Sequence, residues 1–306
     1  MKWDKKGFIY CPENVNCWMS YGFMTPCPIL VDSKTIRVFG GIRDKGGVSR
    51  VGFVDVCAFN PSIVKYLHEE PVLNIGNLGC FDDNGIILGS VMHDGNQWRM
   101  YYIGFQHVKN VKFYAFSGVA VSHDLVKFEK TSETPIMDRQ DWMRYIGAIH
   151  TVIKDDLTYK VFYAAGNNWK NINGIDYPEY SVYYTESVDG YQFDFKNNYN
   201  IIECKNDQYR IGRPTCYKLS NGEYGMFCSY DTLDKQYGIQ YFRSLDCVNW
   251  KKDDSYLKGL SVSKKGWDSE MVCYPAFIDA GEKKYLFYNG NGMGRTGFGY
   301  AELIET

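Results

Sequence analysis

Two carboxylates far apart in the chain stand in similar company: Asp83 in FDDNGIIL and Glu270 in WDSEMVCYPAF each precede an apolar stretch by a few residues. One acid protonated to assist a departing oxygen, with a second ionised as base or nucleophile, is what cleavage of a glycosidic bond requires. Asp44 is a third candidate, placed with Arg43 directly after the strand-like run IRVFGG. Cations occupy comparable places, with Arg144 and His150 in RYIGAIHTV and Arg213 in YRIGRPTCY. A guanidinium can lower the pKa of an ionised acid or grip a substrate carboxylate or phosphate through two parallel hydrogen bonds, and both roles fit Arg43 and Arg213. Trp169, in the polar and aromatic stretch GNNWKNINGIDYPEYS, and Asn289 and Arg295, around GNGMGRTG, complete the set of expected ligand contacts. Plainer readings stand beside these. Asp-Asn-Gly is an ordinary turn that an aspartate caps, Arg43 and Asp44 can form a local surface pair, and His150 can be a satisfied core histidine.

Residues this scattered meet only if the chain repeats. Anchored on an aromatic strand, matches begin at Ile36, Arg99, Lys160, Tyr224 and Tyr285, which lie 63, 61, 64 and 61 residues apart. A following strand recurs at Val51, Gly118, Ser181, Gly238 and Gly297, and in the middle repeats a turn leads on to an aromatic fourth strand at Phe128, Phe193 and Trp250. Strand-turn-strand units at such a period predict an all-β fold, a five-bladed β-propeller with four-stranded antiparallel blades, in a single domain over residues 1–306. The fifth repeat ends at AELIET without a fourth strand, and FIYCP from Phe8 is expected to supply it. In such a fold the innermost strands face one channel, so Asp83, Arg144 or His150, Arg213 and Glu270 are expected to converge there. The long insertion around Trp169 is expected to be a loop over the site.

Composition narrows the partners. Net charge is −2 with dispersed Lys and Arg, so nothing marks a nucleic-acid or anionic-membrane surface. No stretch resembles a secretory signal or approaches the ~18 apolar residues of a membrane span, and a cytoplasmic protein is expected. The 10 cysteines fall in strand-like segments without a CxxC pair, and the 5 histidines form no HExxH, so neither metal nor cofactor is expected. GNGMGRTG looks like a dinucleotide fingerprint, but it joins two strands and opens no helix. The 26 tyrosines suit both inter-sheet packing and stacking under sugars.

The segments GSVMHDGNQWRMYYIGF and SEMVCYPAFIDAGEKKYLFYNGNG, with the turns SHDLVKFEK and SLDCVNWKK, resemble the five-bladed propeller glycosidases. These comprise the arabinanase and xylosidase group, the levansucrase and invertase group, and relatives that accompany surface-polysaccharide biosynthesis genes. The resemblance implies three acids on inner strands: Glu270 matches the late general acid, and Asp83 matches a second-blade carboxylate. WMSYGFMTP carries no aspartate at the first-blade position, so Asp44 would substitute for it. The implied function is a carbohydrate-active enzyme that cleaves or transfers a glycosyl unit in surface-glycan or activated-sugar metabolism. The alternatives are a propeller that only binds a glycan or nucleotide-sugar, and a protein-interaction scaffold.

Overall fold

The computed structural model describes residues 2–155 and 157–305. Its strands form antiparallel meanders that follow the repeats of the sequence; the first and last are separate four-stranded sheets, and the middle three are joined into one twelve-stranded sheet by short parallel pairings of Ala115 with Ile146 and of Tyr180 with Arg210. The first unit is β2 (Tyr21–Asp32), β3 (Thr35–Arg43), β4 (Ser49–Cys57) and β5 (Val64–Leu67). The second is β6 (Ile86–His93), β7 (Trp98–Gln106), β8 (Tyr114–Ser122) and β9 (Glu129–Lys130). The third is β10 (Ile146–Asp155), β11 (Thr158–Ile172), β12 (Ile175–Ser187) and β13 (Tyr199–Ile202). The fourth is β14 (Gln208–Lys218), β15 (Tyr224–Thr232), β16 (Gly238–Ser244) and β17 (Lys251–Lys252). The last is β18 (Cys273–Asp279), β19 (Lys284–Asn289) and β20 (Phe298–Glu305), joined by β1 (Lys2–Tyr10) from the other end of the chain. β1 pairs antiparallel with β20, from Trp3 opposite Leu303 to Tyr10 opposite Phe298.

The middle strands are apolar almost throughout, as in β7 (WRMYYIGFQ), because both their faces are covered. Apolar clusters fill the spaces between consecutive units. Phe39 and Phe53 of the first unit pack with Tyr102 and Phe116 of the second, and Ile9, Phe287 and Tyr300 pack with Phe23 and Val38 between the last and the first. The outer strands differ from expectation. β9 and β17 are two residues long, and Phe193 precedes β13 instead of lying in it. Phe128 serves as a buried anchor of an inter-unit core, and the short outer strands leave little open edge for another chain to pair with.

The insertion around Trp169 is not a loop. β11 and β12 continue past the sheet as a two-stranded arm, with Trp169 opposite Pro178, closed by a turn at Asn173 (φ 52) and Gly174 (φ 82). Asn-Gly with both residues at positive φ is the type I′ turn, whose twist matches that of the flanking strands.

Candidate functional site

The first strand of every unit is interrupted at one equivalent place. Register shifts bracket Thr25 in β2, Gly89 in β6, His150 in β10, Arg213 in β14 and Tyr274 in β18. Thr25, Arg213 and Tyr274 each precede a proline and hold positive φ, at 55, 53 and 51. Proline cannot donate to the ladder, so the strand bulges there, and the bulge re-aims the side chain beside it. Non-glycine residues in this region are strained and persist only where their surroundings hold them. At Gly89 a side chain has no room, since a Cβ would come within 2.2 Å of the Ile149 carbonyl oxygen.

Thr25, His150, Arg213 and Tyr274 line a cavity of about 360 Å³. Ile87, Ile103, Ala115, Ile146, Ala148 and Ala164 make its apolar part, and Phe105, Phe113, Tyr177 and Tyr180 add aromatic faces. Among the described residues, Arg43, Lys112, Arg210 and Arg213 place four cations on the wall against a single carboxylate, Asp176. Tyr177, Pro178, Tyr180 and Asp176 come from the β11–β12 arm, and Met293 comes from the turn before β20.

The two buried arginines differ. Arg210, 7% exposed, meets Asp231 at 2.7 Å, and Asp231 also receives hydrogen bonds from Tyr209 and Lys235. Burial opposes ionisation of Asp231, but those hydrogen bonds and the Arg210 charge outweigh it and hold the carboxyl below its usual value. Arg213, also 7% exposed, donates from Nη1 to the Leu88 carbonyl and to His150 Nδ1 at 3.1 Å. Burial pushes its guanidinium down to about 10, so it remains charged at neutral pH. Burial, and then the Arg213 charge, press the His150 imidazole well below its ordinary value, so it is neutral there. Burial raises the Tyr180 and Tyr274 hydroxyls, which stay protonated as hydrogen-bonding groups.

Of the residues singled out in the sequence, Arg43, His150 and Arg213 line the cavity. The expected meeting of Asp83 and Glu270 is not found there, since neither lines it. Asp83 caps its own turn, with Oδ2 accepting from the Gly79 amide at 2.9 Å, while neighbouring Asp82 pairs with Lys130. Glu270 is exposed on the segment before β18, where its amide donates to Asn291 Oδ1. Asp44 belongs to the β3–β4 turn, accepting from the Val48 amide and pairing with Arg50 at 2.9 Å. Arg144 is exposed and donates to the Asn167 carbonyl. Arg295 is exposed over the Tyr21 ring. Trp169 acts from behind the wall, its ring edge-on to lining Phe113 at 5.1 Å.

Asn289 is fully buried. It donates to the Phe23 and Gly297 carbonyls and accepts from the Thr25 amide, so it has no group left for a ligand. Asp176 and Tyr177 reach the wall from the insertion where contacts are expected, whereas Lys112, Phe113, Tyr180 and Tyr274 were not singled out. The signal for the last was an in-strand proline recurring at the repeat period, at Pro26, Pro214 and Pro275. Among the described residues no group of three or more His, Cys, Asp or Glu side chains is placed to hold a metal ion.

No family model matches the sequence. The uncharacterized protein MT1551 of Mycobacterium tuberculosis (strain CDC 1551 / Oshkosh) is 30% identical over 307 residues, covering 99% of each chain. The chain belongs to the family of MT1551. Rv1502 of Mycobacterium tuberculosis (strain ATCC 25618 / H37Rv) is 29% identical over the same share of both chains. Among solved structures, BT0996 in its RGII complex superposes with a TM-score of 0.72 at 18% identity, over 98% of this chain and 91% of that one. The α-L-arabinofuranosidase of Lactobacillus brevis gives 0.69 at 10% identity, over 93% and 91%. The endo-arabinase of Bacteroides thetaiotaomicron gives 0.67 at 10% identity, over 98% and 99%. At these identities the likeness is one of fold, the all-β architecture of the propeller glycosidases.

Proposed function

We propose that the units close into a five-bladed ring and that the chain is a carbohydrate-active enzyme of glycoside-hydrolase type, seating a glycosyl unit in the cavity on the ring's axis. The ring is supported by contacts between first strands, which run from β2 to β6, β10, β14 and β18 and from β18 back to β2. The observation that carries the functional reading is the cavity itself, whose wall draws side chains from every unit. Its volume falls within the ~300–1,000 Å³ usual for small-molecule sites. Aromatic faces suit the apolar C–H face of a sugar ring, and the arginines, Thr25 and the tyrosine hydroxyls suit its oxygens. The similar structures include enzymes named for arabinosides, β-1,2-mannosides and sucrose 6-phosphate.

Asp176 is the wall carboxylate, exposed on the arm and accepting from Asn171 at 2.7 Å. It is the group placed to exchange a proton with a glycosidic oxygen. Cleavage by two acids needs a partner for it, and among the described residues no second carboxylate lines the cavity. That observation favours a second reading, glycan binding without turnover. Arabino-, manno- and fructo-oligosaccharides incubated with wild type and Asp176→Asn, with products followed by chromatography and binding by calorimetry, separate the two. Turnover that falls by orders of magnitude in Asp176→Asn supports the enzyme, and saturable binding without product supports the second reading. Absence of both across the panel overturns the glycosyl assignment.

A further inference from the structure

We infer that the cavity recognises an anionic group on its ligand, a phosphate or carboxylate oxyanion, held by Arg213 with Arg43 and Lys112. The inference rests on the reading that a sugar occupies the cavity and adds the chemical class of that sugar. It starts from an imbalance of charge. Buried charges in proteins are ordinarily paired. Arg210 obeys this through Asp231 at 2.7 Å. Arg213 is as deeply buried and faces the same cavity, yet among the described residues no carboxylate lies within ion-pair distance of it, of Arg43 or of Lys112. Among the described residues its side-chain hydrogen bonds run from Nη1 alone, to the Leu88 carbonyl and His150.

Neighbouring groups are suited to an oxyanion. Thr25 is 2% exposed and lines the same cavity, and among the described residues its buried hydroxyl has no hydrogen-bond partner. Neutral His150, with Nδ1 toward Arg213, has a second ring nitrogen that can hydrogen-bond a ligand without adding charge. The backbone at Arg213 sits at φ 53, a conformation that points the guanidinium inward at the expense of strain. Arginine is the side chain whose planar fork matches carboxylate and phosphate. Asp176, the wall's one carboxylate, engages Asn171 of its own arm, which leaves the wall cationic on balance.

Calorimetric titration of wild type, Arg213→Met and Arg43→Met with inorganic phosphate, glucose 1-phosphate, glucuronate and glucose tests this. Among the described residues the Arg43 side chain has no hydrogen-bond partner, so its variant serves if Arg213→Met fails to fold. The expected result is saturable binding of at least one anion, with glucose weaker by tenfold or more and the anion weakened by tenfold or more in each variant. Arg213→Lys should recover part of the lost affinity. Preference for glucose 1-phosphate identifies a phosphate, and preference for glucuronate a carboxylate. Inorganic phosphate bound as tightly as either sugar anion supports the oxyanion site and counts against the glycosyl reading. Glucose bound as tightly as the anions, unchanged by either variant, overturns the inference and leaves the glycosyl reading standing. No anion binding at millimolar concentration overturns the inference.

Discussion

Asn289 was expected at a ligand, and the structure instead gives it the seam between the last unit and the first. Its Nδ2 donates to the Phe23 carbonyl at 2.6 Å and the Gly297 carbonyl at 2.9 Å, and its Oδ1 accepts from the Thr25 amide at 2.8 Å. Asn289→Ala strands the Thr25 amide and the Phe23 carbonyl in a fully buried place, while the Gly297 carbonyl keeps the Gly290 amide at 3.5 Å. A buried polar group left without a partner costs ~1–3 kcal/mol, so the substitution should remove about 4 kcal/mol. Unfolding entropy of ~2.1 cal/mol/K per residue, over 306 residues, converts each kcal/mol to about 1.5 °C. The melting temperature should therefore fall by about 6 °C in scanning calorimetry. Asn289→Asp keeps the acceptor for Thr25 but turns a second oxygen on two carbonyls. It should be destabilised at neutral pH and partly recover as pH falls, because the folded state then binds a proton that the unfolded state does not yet hold. A melting temperature for Asn289→Ala within the wild-type error, together with lost ligand binding, would refute this reasoning and return Asn289 to the site.

His150 is held neutral in the folded protein by burial and by Arg213, so below pH 6.5 the unfolded chain gains a proton that the folded chain refuses. Stability should then fall with falling pH by about 1.4 kcal/mol per unit more than in His150→Gln, as read from urea midpoints, and parallel pH profiles would count against it. Asp231→Ala leaves Arg210 buried without its carboxylate and should cost about 3–5 kcal/mol in chemical denaturation; a loss below ~1 kcal/mol would show that the pair is dispensable. Gly89→Ala forces a Cβ against the Ile149 and Tyr101 backbone oxygens, and ~1–3 kcal/mol of overpacking should appear as a lowered midpoint. Glu270→Gln, exposed and off the cavity wall, should leave turnover of any oligosaccharide substrate unchanged, and a loss of orders of magnitude would relocate the chemistry to that rim.

The period was legible because each repeat spends its aromatic and β-branched residues on the same middle strand, and inter-unit packing demands that pattern every time. The position of the site was less legible, and the reason is geometric. Asp83 and Glu270 precede their strands, whereas the cavity is built at bulges around Gly89 and Tyr274, six and four residues further along. At ~3.3 Å per residue that is up to about 20 Å and 13 Å of chain, enough to take a carboxylate from wall to surface. His150 and Arg213, singled out by their place in the repeat, do reach the wall because they stand at the bulge itself. Lys112 and Phe113 reach the wall from the β7–β8 connection, whose length and path no local pattern announces. The charge of the cavity was hidden for another reason. A net charge of −2 averages over the whole surface, while the cavity's sign depends on which arginine folding supplies with a buried carboxylate. Asp231 lies twenty-one residues from Arg210 and eighteen from Arg213, so separation along the chain does not choose between them. The choice is made by register, since β14 sets Arg210 opposite Asp231 on β15 and then bulges, carrying Arg213 out of the ladder and toward the cavity.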